Sequence, residues 1–72
     1  MVRIPIASKN IKSAAYDQPN LTAEIEFING NVYQYYPFYE NQWDELIKSA
    51  SKGNWFNKNV RSNKSIVCKK IK

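Results

Sequence analysis

Two groups of residues in this chain have types and spacing that suit an anionic ligand. The first runs from Ser51-Lys52-Gly53-Asn54 through Asn57 and Lys58 to Arg61. Free backbone amides at a helix start attract anions. Lys52, Lys58 and Arg61 add positive charge, and Asn57 adds an amide that can read a base edge or a phosphate. The second is the aromatic set Tyr33, Tyr35, Tyr36, Phe38, Tyr39, Trp43, Trp55 and Phe56. Single-stranded nucleic acids are held by stacking on such rings beside cations. Each group also has a plainer explanation. Ser51–Asn54 can be a connector whose polar groups cap two helices. The aromatics can be the large side chains that a small core requires, and Trp43 and Phe56 at helical spacing read as core. A tyrosine serves both ends, with a buried ring and a hydroxyl at the rim, so Tyr33 and Tyr35 are open to either role.

Catalytic chemistry has little to work with. The chain has no histidine, so the common general base near neutral pH is missing. No serine sits in a Gly-x-Ser-x-Gly elbow. Glu24 and Glu26 share one face of a strand, where alternating acids usually confer solubility. Cys68 lies beside Lys69 and Lys70, a setting that can favour a thiolate, but in an apolar strand it reads as a packed residue. One cysteine without histidine gives neither a disulfide nor a zinc ligand set. Two glycines in all leave no glycine-rich phosphate loop. The expectation is a chain that binds rather than catalyses, with no metal or cofactor.

The charge is unevenly placed. The net charge is +5 over 72 residues. From Leu46 to Lys72 there are eight basic residues and no acidic ones, whereas the first forty residues carry three basic and four acidic. A basic second half points to an anionic partner, either nucleic acid, nucleotide or acidic protein; the alternative is a solubilising surface. No apolar run approaches the roughly 20 residues that span a bilayer, and no signal-peptide core is seen, so the reading is cytoplasmic and away from membranes. A chain this short has a thin core, and without a disulfide or metal an oligomer is the support that remains.

These residues need elements to hold them. Val2, Ile4 and Ile6 alternate with Arg3 and Pro5. Residues 1–7 thus read as an edge strand or extended arm, Pro5 having no amide donor. Ile11 to Tyr16 can form a second strand, and Asp17-Gln18-Pro19-Asn20 is a turn cluster. Leu21 to Ile28 alternates apolar with polar and is the clearest strand. Asn29-Gly30 signals a hairpin, with the return strand at Val32 to Tyr36. A two-residue turn would send Tyr33 and Tyr35 to the Glu24/Glu26 face. A three-residue loop with Gly30 left-handed sets them beside Ala23 and Ile25 and gathers the apolar side chains on one face; this register is favoured. Pro37 can open a helix with an apolar stripe of Tyr39, Trp43, Leu46, Ile47 and Ala50. Gly53 is placed to end it left-handed. Asn54 can cap a shorter helix through Arg61 with Phe56 and Val60 inward, and a last strand fits Ser65 to Ile71. The fold class is α+β: a small antiparallel sheet of three to five strands packed against one main amphipathic helix and a short second one, all in a single domain.

The pattern Ser8-Lys9-Asn10-Ile11, Tyr16-Asp17, Phe27 with Asn29-Gly30, Tyr33-Gln34-Tyr35, Pro37, Ala50-Ser51-Lys52-Gly53, Phe56-Asn57 and Val60-Arg61 resembles the KTSC domain. That domain occurs at the C-terminus of some lysyl-tRNA synthetases and alone in small bacterial and phage proteins. The resemblance spans Ser8 to about Arg61. It implies RNA as a partner, by the domain's attachment to a tRNA synthetase, and it marks Tyr33, Tyr35, Ser51, Gly53, Phe56, Asn57 and Arg61. The chain departs from the family in a shorter link from Tyr35 to Pro37 and in Ser62-Asn63-Lys64 where an aromatic residue is usual. Three expectations follow. The first is an RNA-binding module using Tyr33, Tyr35, Ser51, Lys52, Gly53, Asn57, Lys58 and Arg61. The second is an oligomeric binder of a nucleotide signal of the phage type. The third is an adaptor that docks a protein through an exposed sheet edge or an aromatic patch.

Overall fold

The computed structural model describes residues 2–72, and Met1, the first residue of the expected arm, lies outside them. Five strands run in sequence order: β1 (Val2–Pro5), β2 (Ile11–Asp17), β3 (Thr22–Phe27), β4 (Val32–Tyr36) and β5 (Val67–Lys70). They form one antiparallel sheet, each strand beside its sequence neighbour. Both helices, α1 (Glu40–Lys48) and α2 (Lys52–Phe56), lie between β4 and β5. A wider π-helical stretch, Asn57–Arg61, continues α2. There the Asn59 side-chain amide donates to the Trp55 carbonyl at 3.0 Å.

The hairpin register decides which face Tyr33 and Tyr35 occupy. Ala23 pairs with Tyr35, Ile25 with Tyr33 and Glu24 with Gln34. Phe27 N–H donates to the Asn31 carbonyl at 2.9 Å, leaving Ile28-Asn29-Gly30 as a three-residue loop. Gly30 sits at φ +93°, a conformation glycine adopts without a Cβ penalty. The bulged register is thus the one observed, and Tyr33 and Tyr35 face the helices.

On that covered face, Ile11, Ala14, Ala23 and Ile25 meet Phe38, Leu46, Phe56 and Val60, each at 2 % exposure or less. Ala14 and Ala23 have small side chains, which lets the helical layer approach the strands. A bulge between Ile11 and Ser13 turns Ile11 inward along with Ala14. The opposite face carries a polar chain. Arg3 forms an ion pair with Glu24 and donates to Ser13 Oγ at 3.1 Å, and Ser13 donates to Glu26 at 2.8 Å. The two strand glutamates are therefore held in a structural network.

Several local expectations need correcting. Leu21 is not in the strand: it takes φ +48° after the 3-10 turn Gln18–Asn20. Pro37 does not open α1. β4 ends at Tyr36 and the chain bends at Pro37, after which Phe38, fully buried, donates its N–H to the Leu21 carbonyl at 2.7 Å. The helix starts only at Glu40, where Gln42 Oε1 accepts from Tyr39 N–H at 2.7 Å. Tyr39 and Ala50 flank α1 and are exposed, so its stripe reduces to Trp43, Leu46 and Ile47. Gly53 does not end α1, which stops at Lys48; it lies within α2, which Ser51 rather than Asn54 precedes. A Cβ on Gly53 would lie 2.9 Å from Ser8 Oγ, so glycine is there for close approach. Cys68 is exposed rather than packed, because β5 is the edge strand and all four of its residues are exposed.

Candidate functional site: an aromatic cleft with two free cations

The end of the sheet nearest the hairpin loop carries a cleft of about 580 Å³. Three strands meet there: β3 supplies Phe27, β4 supplies Tyr33 and Tyr35, and β5 supplies Cys68. The π-helical stretch supplies Val60 and Arg61, and the following connection supplies Asn63 and Ile66. Lys9 and Asn10 come from the β1–β2 loop; Ile28, Asn29 and Asn31 come from the hairpin. The five-strand order makes this possible, since β5 returns beside β4 only after both helices and so brings the basic segment against the tyrosines.

The aromatic rings are fixed by edge contacts. Tyr35 meets Phe56 with centroids 5.0 Å apart, and Phe27 meets Tyr33 at 5.7 Å, both near perpendicular; such geometry complements ring quadrupoles. Tyr35 is 5 % exposed, whereas Tyr33 is half-buried. Tyr35 is thus mainly a core residue, whereas Tyr33 is open to the cleft. Burial pushes the Tyr35 hydroxyl pKa upward, reinforced by the neighbouring Cys68 thiol, while Arg61 opposes the shift. Tyr35 therefore stays protonated at neutral pH.

The cleft's charge is uncompensated. Lys9 and Arg61 line it, no carboxylate does, and among the described residues the one ion pair is Arg3–Glu24. Two cations beside aromatic rings, without a counter-charge, suit a ligand that is both planar and anionic.

Of the residues singled out from sequence, the structure gathers Tyr33, Tyr35 and Arg61 in this cleft. Ser51, Lys52 and Gly53 lie in a separate hollow of about 350 Å³ with Ala7, Ser8 and Asn54. Lys9 and Asn10 line both hollows and join them. Asn57 and Lys58 are exposed on the outer side of the helical segment and line neither. The sequence reading missed Lys9, Asn29 and Asn63 as site residues. Asn29 carried a signal, since the same Asn-Gly pair that fixes the hairpin also places its loop at the tyrosine end of the sheet. Asn63 carried none, because its position depends on where the π-helical stretch ends.

Fold and cleft together define a small α+β domain, a five-strand meander with a helical insertion and a basic aromatic cleft at one end. The sequence profile of the KTSC domain matches residues 7–63, and the chain belongs to that family. A crystal structure of a KTSC domain protein from Yersinia pestis superposes with a TM-score of 0.88 at 32% identity, covering 99% of this chain and 97% of that one. No protein with a curated description matches the chain.

Proposed function

We propose that this domain is a non-enzymatic binding module for single-stranded RNA in the cytoplasm. The observation that carries the reading is the meeting of Tyr33, Lys9 and Arg61 in one cleft without a carboxylate. A base stacks on the half-open Tyr33 ring, and the adjoining phosphates meet Arg61 and Lys9. Lys64, Lys70 and Lys72, exposed around β5, extend the positive surface beyond the cleft, whereas Lys69, opposite Gln34, lies on the other face of the sheet. The absence of histidine from the sequence leaves binding as the better-equipped role.

Backbone contacts of this kind release counterions, so affinity must fall with salt. Fluorescence anisotropy of a labelled single-stranded RNA tests this. The expected result is a linear fall of log affinity with log salt, steeper than for a variant lacking Arg61. Affinity that is flat across salt, or no binding even at low salt, would refute the proposal.

A second reading is supported by the cleft's shape. Its volume lies within the roughly 300–1,000 Å³ typical of small-ligand pockets, so a free nucleotide can fill the space that one nucleotide of an RNA strand would take. In that reading the protein sequesters a nucleotide signal, as an oligomer that supplies further contacts. Native mass spectrometry of gently purified protein separates the two: a retained nucleotide on a defined oligomer favours the second, a bare monomer the first.

A further inference from the structure

Four asparagines line the cleft, and two of them are locked in a single orientation. Asn29 Oδ1 accepts from the Asn31 backbone N–H at 3.0 Å. Asn63 Oδ1 accepts from the Ser65 backbone N–H at 2.9 Å. A backbone amide can only donate, so in each residue the oxygen must face its own turn, and the NH2 group is left for a ligand. The side chains of Asn10 and Asn31 make no such bond among the described residues and remain free to turn either way. Arg61 and Lys9 are donors with no acceptor capacity. Asn29, Asn63, Lys9 and Arg61 therefore all present donors to the cleft.

Nucleobases answer such a rim differently. Uracil and guanine carry a ring carbonyl, an acceptor, where cytosine and adenine carry an exocyclic amino group, a donor. An amino group set against Asn29 or Asn63 leaves two donors facing each other, and unmade hydrogen bonds of this kind are where strong discrimination arises. We propose that the cleft selects keto bases, uracil and guanine, over amino bases, with Asn29 and Asn63 as the residues that set the choice. This rests on the RNA-binding reading and goes beyond it, because a cleft that worked by stacking alone would favour the larger ring of adenine over uracil.

The test measures affinities of equal-length oligo(U), oligo(C) and oligo(A) at one salt concentration. Oligo(U) is expected to bind roughly tenfold tighter than either of the others, in line with one good base-edge contact. In Asn29→Asp and Asn63→Asp the carboxylate still accepts from the backbone N–H, so each turn is kept, while the free donor becomes an acceptor. Added negative charge weakens binding to every oligomer, but the ratio of affinities is insulated from it. The oligo(U) to oligo(C) ratio should fall to near unity or invert in at least one variant, with unchanged thermal melting. Equal binding of the three oligomers by the unmodified protein, or tighter binding of oligo(A), would overturn the inference and leave RNA binding intact. A ratio unmoved in both variants would overturn the assignment to Asn29 and Asn63. No binding of any oligomer would overturn both the inference and the reading beneath it.

Discussion

In the hollow between Ser8 and Gly53, polar groups answer one another. Ser8 Oγ accepts from the backbone N–H of Asn10 at 3.2 Å and of Ile11 at 3.4 Å. Lys52 Nζ donates to the Ser49 carbonyl at 3.0 Å, and Gly53 closes against Ser8. In the neighbouring cleft, across the shared Lys9 and Asn10, Arg61 has no acidic partner among the described residues, and Tyr33 presents an open ring. Both regions contain asparagines, cations and a turn, and both attract attention in the sequence. They differ in whether the demand for partners is met inside the fold. Polar groups with internal partners act as joints; those without are available to a ligand.

This contrast can be broken most sharply at Tyr33. Tyr33→Ala should weaken RNA binding by about 1–3 kcal/mol, the usual worth of one stacked base, and Tyr33→Phe should retain most of it. Fluorescence anisotropy on the two variants checks this, and equal losses in both would mean the hydroxyl rather than the ring makes the contact.

Next in size is the comparison of Arg61 with Lys52. Arg61→Ala should lower affinity several-fold and reduce the salt slope by about one, as expected for a phosphate contact. Lys52→Ala should change neither by a measurable amount, since its ammonium is engaged by Ser49. A loss at Lys52 equal to that at Arg61 would erase the distinction between the two regions.

On the other side of the comparison, Gly53→Ala tests the joint. Alanine gains helix propensity of about 1 kcal/mol over glycine, but here its Cβ crowds Ser8 Oγ. Overpacking of this kind costs about 1–3 kcal/mol. A net destabilisation of about 1 kcal/mol is expected in denaturant melts, with RNA affinity unchanged in the folded variant. In a Ser8→Gly background the same substitution should become neutral or stabilising, so the double-mutant cycle isolates the contact.

The smallest effect is alkaline. Burial raises the pKa of Tyr35 first, with Cys68 adding to the shift. Burial likewise raises Tyr16, followed by the charges of Glu40, Asp17 and Asp44. A raised pKa means that the folded state holds the phenolic proton more tightly than the unfolded chain. Stability from this source is complete below the unfolded value of about 10 and is lost as pH rises beyond it. Melting temperature should therefore decline above about pH 10, and less steeply in Tyr35→Phe.

Much of this architecture was legible because periodicity and turn chemistry are local. Alternation over Ala23, Ile25 and Phe27, with Gly30 able to take a positive φ, favoured over a two-residue turn the hairpin register that is observed, and so the placement of Tyr33 and Tyr35. Phe56 and Val60, four apart, faced inward as their spacing required. The errors lie where tertiary contacts override local signals. Pro37 suits a helix start, yet Phe38 is drawn into the core and delays α1 to Glu40. Gly53 suits a helix end, yet its lack of a side chain serves an approach to Ser8, 45 residues earlier in the chain. The cleft was half legible. Its tyrosines and Arg61 stood out by type, but the contribution of Lys9 depends on how the β1–β2 loop folds over the sheet end. Asn29 and Asn63 could be recognised as oriented donors only once their backbone partners were known.

Chemical-shift mapping of the isotopically labelled protein during titration with oligo(U) decides directly whether the cleft, and not the neighbouring hollow, takes the ligand. The largest amide shifts are expected to cluster at Lys9 and Asn10, from Phe27 to Tyr35 and from Val60 to Cys68, while Ser51 to Asn54 stay nearly fixed. Shifts centred on Ser51 to Asn54 or on the Arg3–Glu24 face, or no saturable shifts at all, would contradict the assignment.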